Sequence, residues 1–324
     1  MTGCMQGIVA TGATARVVNT WAHPGCTGIE YQGETSPPQP AAAPGSGPCA
    51  VVACAAQGVY HFNGQWACSV DCLEQLLRAV VIAEQALAAA AALHAAPRVK
   101  LGRILIEQGI INEAQLEQAL RSQRSVGAGK LGCWLKQQVE LPEADFTAAL
   151  SIQWQRPVFR MGAFQAARMV SYLPAALMEK HGALPLRITG APERLSICFE
   201  DHIDLELLSA AERMHGLSVD AGLLTATEFW QVTRELLGQR PPACVSVEAA
   251  SVPGMTAAMS QLLCDPAVIT SRLVAVHGCY WLRVWKQGST AHQTFGGSLE
   301  HDSMRHHGMH EGVLVPCDFL CNPQ

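Results

Sequence analysis

Four cysteines in one short stretch could do metal chemistry. Cys49 and Cys54 precede Val59-Tyr60-His61-Phe62-Asn63-Gly64, and Cys68 and Cys72 follow it. Two pairs of soft thiolate donors on either side of a short hairpin suit a tetrahedral zinc ion. Such an ion would fold a segment too small to build its own core. The first spacing is Cys-x4-Cys rather than Cys-x2-Cys, so a second reading stays open, that of four buried free thiols. A second constellation is duplicated. Lys100, Leu101, Gly102 and Leu105 recur thirty positions on as Lys130, Leu131, Gly132 and Leu135. Leu116, Leu120 and Gln123 likewise fall on Phe146, Leu150 and Gln153.

The elements that must position these groups can be read from spacing. The repeat predicts two helix-turn-helix units packed on each other. Residues 102–108 read as a short amphipathic helix closed by Gly109, and Asn112 as the N-cap of the next helix. Val139 replaces Gly109 in the second unit, so its turn must differ, and Pro142 opens the second helix there. Asp71 with Glu74 predicts a capping box for a helix running from 72 to about 96. After the repeat come helices around 166–180 broken near Pro174, strands at 183–188 and 195–199, a helix at 204–215 closed by Gly216, a strand at 218–221, and a helix capped by Thr225 with Glu228. Residues 266–276 read as a helix and 279–285 as a strand.

The duplicated stretch resembles the N-terminal domain of type II secretion and type IV pilus assembly ATPases, the family typified by the MshE N-terminal domain. Ala183-Leu-Pro-Leu186, Asp201-His-Ile-Asp204 and Thr225-Ala-Thr-Glu228 extend the resemblance, which covers about residues 99–237. It implies cyclic di-GMP as ligand. The ligand-binding residues it implies are Lys100, Leu101, Gly102, Leu105, Gly109, Leu116, Leu120, Gln123, Lys130, Leu131, Gly132, Leu135, Phe146, Leu150 and Gln153. Both lysines stand where the family has arginine, and a lysine offers a point charge in place of a planar fork. The stretch from Cys49 to Cys72 resembles a treble-clef-like zinc knuckle.

The expected fold class is α+β: a tandem helical repeat followed by a small α/β subdomain, with an N-terminal zinc knuckle. The expected segments are a flexible leader and linker (1–48), the knuckle with a long Ala-rich helix (49–98), the tandem repeat (99–160), the α/β half (161–240), and a C-terminal region without clear pattern (241–324). A net charge of −5 argues against nucleic acid held by phosphate neutralisation. The apolar run at 79–96 is mostly alanine and carries Glu84, Gln85 and His94, which argues against a membrane span. Thirteen cysteines with no basic-then-apolar leader point to reduced thiols and a cytoplasmic protein. Cys4, His23 and Cys26 read as part of an unstructured leader. His301, Asp302, His306, His307, His310 and Glu311 could hold a metal but read rather as a polar tail.

Gly127-Ala-Gly129-Lys130-Leu131 fails as a phosphate loop, because Leu131 stands in place of Ser or Thr and Arg124 in place of the first glycine. No Gly-x-Ser-x-Gly or His-Glu-x-x-His occurs. The reading is a non-enzymatic regulatory or adaptor protein that binds cyclic di-GMP. The alternative is a docking module for secretion or pilus machinery that has lost nucleotide binding.

Overall fold

Long-range strand pairing, which no local pattern reveals, joins the two ends of the sequence. The computed structural model describes residues 15–18, 45–93, 98–239, 241–242, 244–287 and 314–323. It divides into two units, Met1–Ala83 with Pro242–Gln324, and Glu84–Pro241. Both mix helices and strands, as the α+β reading requires.

The first unit is built on a seven-stranded sheet. Its strands are β1 (Ala15–Val18), β2 (Tyr60–Phe62), β3 (Gln65–Ala67), β7 (Cys244–Ala249), β8 (Val268–Val276), β9 (Cys279–Gln287) and β10 (Leu314–Pro323), in the order β1-β7-β10-β9-β8-β2-β3. The β7–β10 and β8–β2 pairs are parallel and the rest antiparallel. Helices α1 (Val70–Leu93) and α10 (Val252–Leu263) supply Leu73, Leu77, Met255 and Met259 to a core shared with Phe62, Leu273, Leu282 and Phe319. Each fully buried leucine contributes roughly 1.5–3 kcal/mol. Between β9 and β10, Arg283 grips Asp318 through Nε and Nη2 at 2.6 and 2.7 Å, and Trp281 Nε1 donates to the same carboxylate at 2.7 Å. Arg283 and Asp318 are 1% and 0% exposed. Both are buried, so losing either partner would strand a buried charge.

Several expectations are corrected here. Residues 268–276, read as a helix, form strand β8. Its β-branched Val268, Ile269, Thr270, Val274 and Val276 fit a pleat, and His277-Gly278, both at positive φ, turn it directly into β9. The C-terminal region, read as lacking pattern, supplies β7 to β10. The leader, read as flexible, contributes β1. Within the linker, Gly47 accepts a hydrogen bond from Gly58 N at 2.7 Å. The Asp71–Glu74 capping box is absent: Ser69 Oγ accepts from Cys72 N at 3.2 Å, and Glu74 binds Arg78 and Ser260. Cys4, His23, Cys26 and the His301–His310 cluster with Asp302 and Glu311 lie outside the described residues.

The second unit opens on the repeat: α2 (Leu101–Glu107), α3 (Glu113–Val126), α4 (Leu131–Gln138) and α5 (Glu143–Trp154). Helix α3 packs chiefly on α4, and α2 on α5, so the two repeats interlock. Asn112 caps α3 in a reciprocal box with Gln115, and Pro142 precedes α5. The α2–α3 turn uses Gly109 at φ +69, whereas Val139 leaves α4 in extended conformation at φ −131. Glycine is needed at the first and not at the second. Then follow α6 (Ala166–Met169), α7 (Ala175–His181), β4 (Ala183–Thr189), β5 (Arg194–Phe199), α8 (Leu205–His215), β6 (Ser218–Leu223) and α9 (Ala226–Leu237). Strand β5 lies between antiparallel β4 and parallel β6. Asp204 and Thr225 cap α8 and α9.

Candidate functional site

In the first unit the chain delivers four thiols to one point. The loop from Cys49 to Cys54 doubles back through Ala53 at φ +66, with Cys54 N bonded to Val51 O at 3.0 Å. The β2–β3 hairpin, turned by Asn63-Gly64, returns the chain to Cys68, and the first turn of α1 presents Cys72. All four sulfurs lie within 4.8 Å of one another, with Cys54–Cys68 at 3.5 Å and Cys68–Cys72 at 3.7 Å. A tetrahedron with metal–sulfur bonds of about 2.3 Å has edges of roughly 3.8 Å, so this spacing can hold a metal ion. The thiols also differ electrically. The Val51 N–H, opposed by burial and joined by the Cys68 N–H, brings Cys49 down to about 7. Cys68 is pushed up to about 12, chiefly because its hydrogen bonds to Cys54 and Cys72 require its proton. Four thiolates this close need a cation to coexist.

In the second unit the two copies of the motif make the same contacts, thirty residues apart. A Cβ on Gly102 would lie 2.6 Å from Leu116 Cδ1, and one on Gly132 would lie 2.6 Å from Phe146 Cζ. Each glycine therefore exists to seat the large side chain of its own repeat. Leu105 and Leu135 are wholly buried, and Phe146 and Leu150 nearly so. These four pack the helices and do not face solvent. Gly109 is exposed at its turn.

The glutamines reach across. Gln123 Nε2 donates to Gly129 O at 2.8 Å, and Gln153 Nε2 donates to Val99 O at 2.9 Å. Each carbonyl immediately precedes a Lys-Leu-Gly. The amide of one repeat thus fixes the start of the other repeat.

Beside the first repeat lies an open groove of about 400 Å³, lined by Lys100, Gly102, Arg103, Ile106, Glu107, Glu113, Leu116, Leu120 and Leu131. The structure therefore brings Lys100, Gly102, Leu116, Leu120 and Leu131 of the expected set together at one surface. Leu101 and Gly132 are half-buried next to it in sequence. Lys130 is engaged elsewhere: its Nζ meets both carboxylate oxygens of Asp201 at 2.8 and 2.9 Å. Lys136 lies 3.9 Å from Glu200 and above the Phe146 ring. Burial raises the Glu200 carboxyl above its ordinary range. Trp154 Nε1 donates to Asp201 O at 3.2 Å, and Arg98 stacks 3.6 Å above the Trp154 ring.

Sequence reasoning missed Arg103, Ile106, Glu107 and Glu113 as groove residues. Arg103 was reachable, since it stands one helical turn beyond Lys100. Asp201 was not, because only the tertiary fold carries it to Lys130. No helix among the described residues is long and apolar enough to cross a membrane. No family model and no curated protein matches the chain. The chain is similar to a solved structure of MshE with cdg, at 27% identity over 43% of this chain and 99% of that chain, with a TM-score of 0.37.

Proposed function

We propose that the second unit is a non-enzymatic regulatory module that binds cyclic di-GMP at the groove of the first repeat. The observation that carries this reading is the exchanged pair of glutamine bonds, Gln123 to Gly129 O and Gln153 to Val99 O. They hold both Lys-Leu-Gly starts in one frame beside an open groove. Leu116, Leu120 and Leu131 offer apolar contact for a guanine face, and Lys100 offers charge for a phosphate. The motif resemblance of residues 99–237 supports the same ligand. Calorimetric titration of the full chain tests it: saturable binding in the micromolar range is expected, and no binding at about 100 μM ligand, near −5.5 kcal/mol, contradicts it. Lys100→Arg tightens binding by replacing a point charge with a bidentate donor.

The Asp201 carboxylate on Lys130 favours a second reading, a docking module for secretion or pilus machinery that has lost the nucleotide. In that case binding appears only in a Lys100→Arg, Lys130→Arg double variant. Neither reading includes catalysis. Lys130 precedes α4 and pairs with Asp201 rather than closing a phosphate loop, so a steady-state ATPase assay gives background, with or without cyclic di-GMP. Turnover that vanishes on changing Lys130 contradicts this.

For the four-thiol centre we propose a structural zinc ion held by Cys49, Cys54, Cys68 and Cys72. Protein purified without chelator carries about one zinc per chain, the stoichiometry of a single four-thiolate site. A Cys68→Ser, Cys72→Ser variant loses it. Metal content unchanged by that variant contradicts the assignment.

A further inference from the structure

We propose that Arg103 supplies the planar guanidinium fork for a ligand phosphate, a role neither lysine of the repeat can fill. The proposal rests on the reading of the groove as a cyclic di-GMP site. Lys100 precedes α2 and Arg103 lies in its first turn, three residues on, and both line the groove with Ile106, Leu116 and Leu120. An ammonium meets a phosphate as a point charge; a guanidinium meets two oxygens at once. Lys100 and Arg103 together therefore give the groove both the charge and the geometry that a lysine alone lacks.

Arg103 is not idle in the meantime. Its Nε donates to Glu107 Oε1 at 2.7 Å, and the two side chains are 76% and 56% exposed. An exposed pair one turn apart holds its members lightly, so an arriving anion can take the fork from Glu107 at little cost. Glu107 and Glu113 also place two carboxylates at the groove. An anionic ligand entering there needs more than one cation to offset them.

The second repeat has no such group. The position thirty residues beyond Arg103 is Cys133, and Lys130 is already paired with Asp201. The fork belongs to the first repeat alone. The ligand is therefore gripped unequally by two repeats whose frames are the same.

The test is calorimetric titration of the full chain with cyclic di-GMP at two salt concentrations, about 50 and 150 mM, where screening of exposed charges differs. Arg103→Ala is expected to weaken binding roughly 10- to 150-fold, the range for a lost hydrogen bond to a charged group, and to flatten the salt dependence. Arg103→Lys recovers part of that loss. Glu107→Gln tightens binding by releasing the fork. Arg234→Ala, an exposed arginine in the last turn of α9, changes nothing. Thermal melts confirm that each variant is folded. If the wild type binds and Arg103→Ala and Arg103→Lys bind equally well, Arg103 serves only Glu107 and the proposal is wrong while the site stands. If the wild type does not bind, the site reading fails and this assignment fails with it.

Discussion

The two repeats of the second unit share a frame and differ in charge. In both, a glycine seats a large side chain fourteen residues on, a leucine is wholly buried, and a glutamine crosses to the carbonyl ahead of the other repeat. Around the first, Lys100 and Arg103 face an open groove; around the second, Lys130 and Lys136 are met by Asp201 and Glu200. The repeats thus share what folding requires and differ in their ionic surroundings. Packing positions are answerable to each other, whereas a surface cation answers only to what lies beyond it.

The comparison can be broken at four levels. The deepest is the core. Leu105→Ala and Leu135→Ala each remove a fully buried side chain and are expected to cost about 2–5 kcal/mol alike in denaturant unfolding. A large difference between them would show that the frames are not equivalent. Next is the glycine. Gly132→Ala presses on the ring of Phe146, which is 4% exposed, and is expected to cost about 1–3 kcal/mol. Gly102→Ala costs less, because half-buried Leu116 can swing its end away. Equal costs would mean that Phe146 also yields.

The glutamines come third. Gln123→Ala and Gln153→Ala each lose one hydrogen bond to a backbone carbonyl, about 0.5–1.5 kcal/mol of stability, visible as matched shifts in urea midpoint. Loss from one alone would refute the exchanged arrangement. Smallest is the ion pair. Lys130 and Asp201 are 63% and 33% exposed, so Asp201→Asn changes stability by under about 1 kcal/mol. It also releases Lys130, so affinity for cyclic di-GMP rises in the same variant. Unchanged affinity would show that the second repeat's lysine takes no part.

Local signals carried this unit well. Asn112 and Pro142 announced their helices through capping chemistry, and Gly109 and Val139 announced unlike turns; Leu105 and Leu135, expected at the ligand, are wholly buried between helices instead. What stayed hidden depended on distance in sequence. Asp201 reaches Lys130 across 71 positions, and β10 finds β7 and β9 only in the folded sheet. Helix α10 carries a local signal of its own, with Ser251 as its cap and Met255 and Met259 one turn apart. Strand β8 reads as a helix from sequence because an apolar run has no distinguishing period when both faces are covered. The four cysteines were legible as a cluster despite their unusual spacing, since the hairpin between them closes the gap. The groove was legible only in half: the motif named its apolar wall and its lysine but not Arg103.

The central claim is that a common frame supports ligand binding through the first repeat more than through the second. Parallel titrations of Lys100→Ala and Lys130→Ala with cyclic di-GMP test it most directly. The account predicts at least a tenfold loss of affinity, about 1.4 kcal/mol, for Lys100→Ala and a much smaller change for Lys130→Ala. Equal losses, or a greater loss on changing Lys130, would contradict it.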